Sequence, residues 1–529
     1  MRILLRDDAV GPPQVDGLKA KKRQPQSTRK STSVKTAGAR PAAPAELREG
    51  VWWIAAAAIL AAGTLLRFYD LGLKPIHHDE GVNGVFLARL LHEGYYHYDP
   101  ANYHGPTLYY LALLVARVNG LFHGDGLSDV SIRVITAIFG IATVALVLWM
   151  RRLLGKREAL VAAALIAISP GAVFYSRYFI HEMLFVFFTL VIAVCGWEAW
   201  KRSDPGYLPI AALAAAFLFA TKETALVSLA VLAIAVAVER VWVGMKEGGP
   251  APPPPHWAGS VRNCAALSAV VFGVVYVVLY SSFFTNIKGL RDSVETFTIW
   301  TRTGFSMEFF PKYVYLTWMG RQEWPLLLVA VMGSVVAVWT RPRSFAAFAG
   351  IWAAGQFAVY TLIPYKEPWL ALNFLVPAAI AGGYGAVRLW ERARILWLLG
   401  CGLAIVLVYQ TIDLNFVHYD DQTEPYVYMQ TTREVNVLLH DVEAVSARTH
   451  SGSKMAIAVV APEYWPLPWY LRDYKNAGYW GRIVDTTAPA VISSKDQAWD
   501  LKDRLGPAYE FVRFYDLRPG VTLALYTRK

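Results

Sequence analysis

Acidic and basic side chains occur together at four places in an otherwise apolar sequence. Each group lies at the end of a long hydrophobic run: His77, His78, Asp79 and Glu80; Arg177, His181 and Glu182; Lys222 and Glu223; Lys366 and Glu367. Carboxylates accept protons and bind hydroxyl groups, whereas Lys and Arg stabilise the growing charge of a leaving phosphate. Ionisable residues beside membrane spans are costly and usually functional, so these groups indicate a polar site. Any single pair could instead be a structural ion pair at a helix end.

The elements that position these residues are membrane helices. Of the 529 residues, 55% are hydrophobic and 17% are charged, which is too apolar for one soluble domain. Runs of about the length that crosses a bilayer predict about eleven transmembrane helices, near 51–69, 130–149, 158–175, 179–199, 206–220, 224–243, 263–284, 324–339, 344–363, 370–387 and 395–411. The three cysteines lie within these apolar runs or beside them, so neither a disulfide framework nor a cysteine metal site is expected.

The positions of Lys and Arg predict the orientation. Residues 1–49 carry eleven basic and five acidic residues and are interpreted as a disordered cytoplasmic tail that contacts membrane lipid, with no nucleic-acid partner expected. With this end inside, the basic connections fall on the cytoplasmic side, as the positive-inside rule requires: 150–157, 201–203, 240–262, 340–343 and 388–394. We therefore expect a multi-pass protein of the plasma (inner) membrane whose four polar groups face outward.

Five segments follow from this division. They are a basic tail (1–49), a membrane module (50–245) with a first outer loop (70–106), a Pro-rich cytoplasmic linker (246–262), a second helix bundle (263–411) and a small extracytoplasmic α/β domain (412–529). The stretches 81–93 and 107–122 are predicted to be interfacial helices, because polar residues interrupt them. In the last segment, residues 434–447 have helical spacing, 455–460 and 490–492 are predicted strands, and 510–515 and 521–527 form a predicted hairpin.

The residues around the polar groups resemble the GT-C glycosyltransferase superfamily. The marks are the Asp-Glu pair at 79–80 in the first outer loop and the Ser-Arg of 176–177, which is followed after four residues by Glu182 and Met. The pattern is similar to the protein O-mannosyltransferases and the lipid A aminoarabinose transferase, although relatives usually carry Asp where this chain has Glu182. Short matches at 78–81, 104–106, 365–369 and 464–466 resemble most closely a prokaryotic family called flippase activity-associated.

The resemblance implies a GT-C fold and an enzyme that transfers a hexosyl or pentosyl group with inversion. The expected donor is a polyprenyl-phosphate-linked sugar, and the expected acceptor is an extracytoplasmic protein, lipid or cell-surface glycan. Asp79 is the candidate base, and Glu80 is the second candidate catalytic carboxylate. The residues expected to bind the donor phosphate and sugar are Arg177, His181, Glu182, Lys222, Lys366 and Glu367.

Three alternatives stay open at this point. No cofactor is required, but His78, Asp79 and Glu182 have the ligand types that suit a divalent cation such as Zn or Mn. A flippase or transporter for lipid-linked saccharides would place charges near the bilayer midplane, whereas the charges here lie at helix ends. A non-catalytic accessory subunit of a glycan-assembly complex would need Asp79 for assembly without turning over a donor.

Overall fold

The computed structural model describes residues 47–102, 104–247, 260–303, 310–393 and 395–529. The predicted basic tail at 1–49 and the Pro-rich linker at 246–262 fall almost wholly outside these ranges. The described chain is mostly helical and carries one small sheet near its C-terminus.

The helices before the linker form the first part of a bundle. They are α1 (Glu49–Phe68), α2 (His78–Glu93), α3 (Thr107–Gly120), α4 (Asp129–Trp149), α5 (Arg151–Leu154), α6 (Lys156–Ala167), α7 (Pro170–Ser176), α8 (Glu182–Arg202), α9 (Leu208–Phe219) and α10 (Ala225–Glu247). The remaining helices of the bundle are α11 (Ser260–Tyr280), α12 (Lys288–Thr303), α13 (Val314–Gln322), α14 (Trp324–Thr340), α15 (Phe345–Leu362), α16 (Leu372–Arg392) and α17 (Ile395–Ile412). The predicted helices at 81–93 and 107–122 correspond to α2 and α3.

The described residues contain up to ten candidate spans where the sequence predicts eleven, because the span predicted at 206–220 is a shorter helix. Within the described residues, eight helices are long and apolar enough to cross a membrane, and two bent pairs bring the number to ten. The pair α6 and α7 bends by 61°, because Pro170 has no N–H to continue the α6 ladder and starts a new helix instead. The pair α13 and α14 bends by 114°. The eleventh predicted span is the shorter apolar helix Pro205–Phe219.

The C-terminal segment is built around a five-stranded mixed sheet, which agrees with the predicted α/β class, although the strand at 476–479 was not predicted. Its strands are β1 (Ala456–Val459), β2 (Asn476–Tyr479), β3 (Ala490–Ser494), β4 (Tyr509–Arg518) and β5 (Val521–Arg528), in the order β2-β1-β3-β5-β4. Strand β1 is parallel to both β2 and β3, and the β4–β5 hairpin adds antiparallel to β3. Apolar side chains of α18 (Glu434–Arg448) pack on one face and those of α20 (Ala498–Leu505) on the other, with the short α19 (Leu467–Tyr470) between β1 and β2.

Candidate active site

Asp79 lies in the first turn of α2, where the local sequence fixes its backbone. His77 caps the helix: its Nδ1 accepts from the Asp79 N–H at 3.1 Å, and Glu80 Oε2 accepts from the His77 N–H at 3.0 Å. This reciprocal arrangement is a capping box, which satisfies helix N–H groups that lack a helical partner. The Asp79 side chain is partly exposed, and its carboxylate accepts no hydrogen bond from the described residues. Within the described ranges, Asp79 therefore has a fixed backbone and a carboxylate without a hydrogen-bond donor.

Glu80, the neighbouring carboxylate, is fully buried and fully engaged. Its two oxygens pair with Arg133 of α4, each at 2.7 Å, and Oε1 also accepts from the Phe179 N–H at 2.8 Å. Arg133 donates further to the carbonyls of Leu71, Lys74 and Pro75. The bidentate pair thus joins α2, α4 and the segment after α7. Both Glu80 oxygens are thus occupied by hydrogen bonds, and its catalytic role stays a prediction.

Glu182 and Lys222 form a second buried ion pair at the start of α8. Lys222 Nζ lies 3.0 Å from Glu182 Oε2, and Asn373 Nδ2 of α16 donates to the other oxygen at 3.2 Å. Burial lowers the pKa of Lys222, but the charges of Glu182 and Glu223 outweigh burial, so its pKa is raised and the ammonium stays charged. Three segments that are distant in sequence therefore converge on one charged pair.

A short antiparallel bridge brings the first outer loop to the same place. His104 pairs with Lys222 in this bridge, with the Gly105 N–H donating to the Thr221 carbonyl at 3.1 Å. Gly105 is required there, since a Cβ would lie 2.2 Å from the Ala220 carbonyl oxygen. The bridge sets His104 Nδ1 3.2 Å from Glu223 Oε2.

His181 completes this side of the cluster. Its ring lies 4.7 Å from the His104 ring, and its Nε2 is buried with no hydrogen-bond partner among the described residues. Burial, with the nearby charges of His104 and Lys222, lowers the pKa of His181 well below its usual value. A neutral imidazole with an unused ring nitrogen suits the binding of a sugar hydroxyl.

Glu367 faces the same space from the segment between α15 and α16. Burial raises its pKa well above the usual value, and the charge of Asp79 raises it further, while Lys222 opposes both. Its Oε2 is buried without a hydrogen-bond partner in the described part of the chain. Glu367 therefore takes up a proton more readily than an ordinary glutamate does, and it lies close to Asp79 and to the charged Lys222.

Two of the predicted donor-binding cations point elsewhere. Arg177 donates to carbonyls at the end of α1, including those of Tyr69 (2.6 Å) and Asp70 (2.7 Å). Lys366 Nζ donates to three carbonyls at the end of α15, with Tyr360 and Thr361 both at 3.0 Å. Cations at helix C-termini stabilise unpaired carbonyls and the helix dipole. A phosphate-binding role for these two residues stays a prediction, and their contacts are those of helix caps.

The C-terminal domain covers the start of α2 through residues 464–470. Trp469 Nε1 donates to Asp129 Oδ1 at 2.7 Å, and the Ile76 N–H donates to the Tyr470 hydroxyl at 2.6 Å. Gly81 and Gly84 of α2 permit this contact, because a Cβ at either would lie 2.5 Å from an atom of Pro466 or Trp469, respectively. The domain is thus packed directly against the helix that carries Asp79.

Arg518 at the end of β4 is a site residue that the sequence does not reveal. It is buried, donates to the Trp465 carbonyl and pairs with Glu463. Burial lowers its pKa, and the charges of Glu463 and Asp79 act in the opposite direction. The His78 ring lies 6.2 Å from Trp465. The domain therefore presents a cation to the Asp79 side of the cluster.

Asn373 is also absent from the predicted site, although its position within an apolar run was a usable signal. By contrast, Arg518 lies in a segment with ordinary surface composition, so the sequence gives no signal for it.

The residues proposed as cation ligands do not form a metal site. No group of three or more His, Cys, Asp or Glu side chains within the described ranges is arranged to hold a metal ion. Glu182 uses both oxygens on Lys222 and Asn373, while His78 lies beside the C-terminal domain. The His78, Asp79 and Glu182 set therefore does not fit a three-ligand cation site.

Comparisons with known proteins match this architecture. Residues 103–247 match the family model described as dolichyl-phosphate-mannose-protein mannosyltransferase, and no curated protein sequence matches the chain. The structure of ArnT from Cupriavidus metallidurans bound to undecaprenyl phosphate superposes with a TM-score of 0.63 at 15% identity, over 89% of this chain and 98% of that one. The Archaeoglobus fulgidus oligosaccharyltransferase in complex with Zn and sulfate gives 0.53 at 14% identity, over 84% and 68%. These likenesses show that the chain has the fold of these glycosyltransferases, the GT-C fold, and the family match covers residues 103–247 of it.

Proposed function

We propose that this protein transfers a sugar from a polyprenyl-phosphate-linked donor to an acceptor outside the cytoplasm. The observation that carries the proposal is a group of three side chains: the Asp79 carboxylate, which accepts no hydrogen bond from the described residues, the charged Lys222, and Glu367, whose pKa is raised by burial and by the charge of Asp79. A carboxylate base, a cation and a carboxyl group with a raised pKa in one cluster suit transfer from a phosphate leaving group to a hydroxyl.

The similar structures support the same donor class. The ArnT structure contains undecaprenyl phosphate, and the A. fulgidus AglB was solved with a dolichol-phosphate and an inhibitory peptide. At such low sequence identity the likeness establishes the fold, so the ligands of these proteins enter only as support for the proposal.

The proposed reaction is a single displacement. The acceptor hydroxyl gives its proton to Asp79 as its oxygen bonds to the anomeric carbon. The bond between that carbon and the phosphate oxygen breaks, and its electron pair leaves with the polyprenyl phosphate. Attack opposite the leaving group inverts the anomeric centre.

Lys222 is assigned to the leaving phosphate. It is buried and charged, whereas Arg177 and Lys366 direct N–H donors to helix-end carbonyls. Glu367, whose pKa is raised, and His181, whose Nε2 has no hydrogen-bond partner among the described residues, are assigned to sugar hydroxyls. In a water-poor site such fixed donors stabilise charge more strongly than they would in water.

The site is assigned to the extracytoplasmic side, with the N-terminus in the cytoplasm. The basic connection that contains Arg151 and Arg152 lies at the other end of α4 from the Asp79 cluster, as the positive-inside rule requires for this orientation. Activated sugars outside the cytoplasm must arrive on a lipid carrier, which fits a polyprenyl-phosphate donor.

The test measures release of polyprenyl phosphate from a panel of donors by the purified full-length protein in liposomes, with a crude envelope fraction as acceptor. The variants are Asp79→Asn and, as a matched control, Asp500→Asn, which changes an exposed carboxylate on α20. We expect acceptor-dependent release by wild type and Asp500→Asn, and a loss of 10²-fold or more in Asp79→Asn, about the contribution of a general base. Release that survives in Asp79→Asn would overturn the assignment of the base. Movement of the intact donor across the bilayer without release would replace the enzyme by a flippase.

A further inference from the structure

A second polar pocket lies at the other end of the bundle from Asp79. It has a volume of about 470 Å³ and is formed by the start of α1, the end of α4, α5 and the end of α8. Aromatic and charged side chains line it together: Trp52, Trp53, Trp149, Tyr207, Arg151, Arg152, Arg202 and Glu198. Trp52 lies in the first turn of α1, whereas Asp79 lies beyond the other end of this helix. The 20 residues of α1 span about 30 Å, so this pocket is separate from the proposed active site.

The three arginines of the pocket are not equivalent. Arg151 lies over the rings of Trp52 (4.3 Å) and Trp53 (5.1 Å) and pairs with Glu49 at 2.9 Å. Arg202 pairs with Glu198 one helical turn before it. Arg152 is exposed and has no ion-pair or hydrogen-bond partner among the residues that the structure describes. The pocket therefore offers one guanidinium whose donors are available to a ligand.

The rest of the pocket is apolar and leads along the membrane-facing surface. Ala56, Ala57 and Leu60 of α1 face Ala145 and Leu148 of α4. The alanines on the two helices define this apolar part of the pocket, the alanine groove.

Two tryptophans mark the depth of this groove. Trp53 and Trp149 are 59% and 56% exposed at its mouth. Exposed tryptophans are typical of the membrane–water interface, so the arginines lie at headgroup level and the alanine groove lies at acyl-chain level.

We propose that this pocket binds an anionic phospholipid, with the phosphate on Arg152 and one acyl chain in the alanine groove. Glu49 pairs with Arg151 and Glu198 with Arg202, so the three arginines leave the pocket with one positive charge, that of Arg152. Basic pockets between membrane helices are known to hold acidic headgroups. A zwitterionic lipid would bring a cationic group close to the same arginines, so it would bind less strongly than an anionic lipid. The inference does not depend on the proposed transferase activity.

Native mass spectrometry of the full-length protein tests this with phosphatidylglycerol and phosphatidylcholine. Arg152→Gln removes the free guanidinium, and Arg392→Gln is the matched control, because Arg392 is an exposed arginine at the same end of the bundle outside the pocket. Ala57→Phe fills the groove without changing charge, and the exposure of Ala57 at the membrane-facing surface makes the change compatible with folding.

We expect wild type and Arg392→Gln to retain phosphatidylglycerol in preference to phosphatidylcholine. Arg152→Gln should bind phosphatidylglycerol about fivefold more weakly, the effect of about one basic residue near an anionic headgroup. Ala57→Phe should also lose its bound phosphatidylglycerol. Equal retention by Arg152→Gln and Arg392→Gln would overturn the site. If glycerol phosphate competes as effectively as the intact lipid does, the proposal of a lipid ligand is overturned, and the ligand is a soluble phosphate.

Discussion

Substituting Glu80 by Gln separates positioning from chemistry at the two adjacent carboxylates. The change keeps the size of the side chain but leaves the Arg133 guanidinium buried without a counter-charge. Both side chains are 0% exposed, and both 2.7 Å contacts are charge-assisted. Removing one partner of such a pair costs about 3–5 kcal/mol. Because the total stability of a folded domain is about 5–15 kcal/mol, we expect Glu80→Gln to be severely destabilised.

The matched control is Asp79→Asn on the same helical turn. Asp79 is partly exposed and its carboxylate has no partner in the described part of the chain, so the free energy of unfolding should change by no more than about 0.5 kcal/mol. A double variant, Glu80→Gln with Arg133→Met, removes both charges and should recover much of the lost stability, since buried pairs are often replaceable by apolar side chains.

The assay is SDS titration in mixed micelles followed by tryptophan fluorescence, run beside the release of polyprenyl phosphate. The expected pattern is a large loss of stability in Glu80→Gln, its partial return in the double variant, and loss of release alone in Asp79→Asn. Wild-type stability in Glu80→Gln together with lost release would refute the reasoning, because it would give Glu80 a direct part in the reaction.

Two further predictions concern other parts of the site. Burial raises the pKa of Glu367, so the folded protein binds this proton more tightly than the unfolded chain does. The free energy of unfolding should therefore fall as pH rises from the pKa of the unfolded chain, about 4.3, to the raised pKa of the folded protein. Above that pKa it should stay constant. Glu367→Gln should abolish this slope in thermal unfolding across pH, and a slope that survives would mean another group causes it. Gly84→Ala places a Cβ 2.5 Å from the Trp469 ring and should loosen the C-terminal domain, measured as faster trypsin cleavage at Arg472. Gly196→Ala, which meets nothing within 4 Å, is the control, and equal cleavage rates would contradict the proposed contact.

Helices and strands were largely predictable, because each depends on a local pattern. Apolar runs mark the spans, and alternating residues mark the hairpin of β4 and β5. The bends were harder to predict from hydropathy alone. Ser169 and Pro170 cap and start α7 within a stretch that reads as one apolar run, so the 61° bend comes from backbone hydrogen bonding rather than from composition.

The site was predictable in position but less so in pairing. The four polar groups do lie near helix ends, yet Arg177 and Lys366 turn to carbonyls of α1 and α15, whereas Lys222 turns to Glu182. The sequence places a cation near a helix end but does not determine whether a carbonyl or a carboxylate is its nearest acceptor. Arg518 comes from a strand more than 400 residues after Asp79, and no local pattern connects them.

The Glu182–Lys222 pair has a consequence for the order of events in the proposed reaction. Lys222 Nζ lies 3.0 Å from Glu182 Oε2. A phosphate that binds Lys222 must therefore share the ammonium with the Glu182 carboxylate or take the place of that carboxylate. Replacement costs little if Glu182 gains a sugar hydroxyl, and Asn373 keeps its other oxygen in place. A polyprenyl phosphate without a sugar offers Glu182 no such hydroxyl and leaves two anions beside one lysine. We therefore expect the pair to favour the glycosylated donor over the free polyprenyl phosphate.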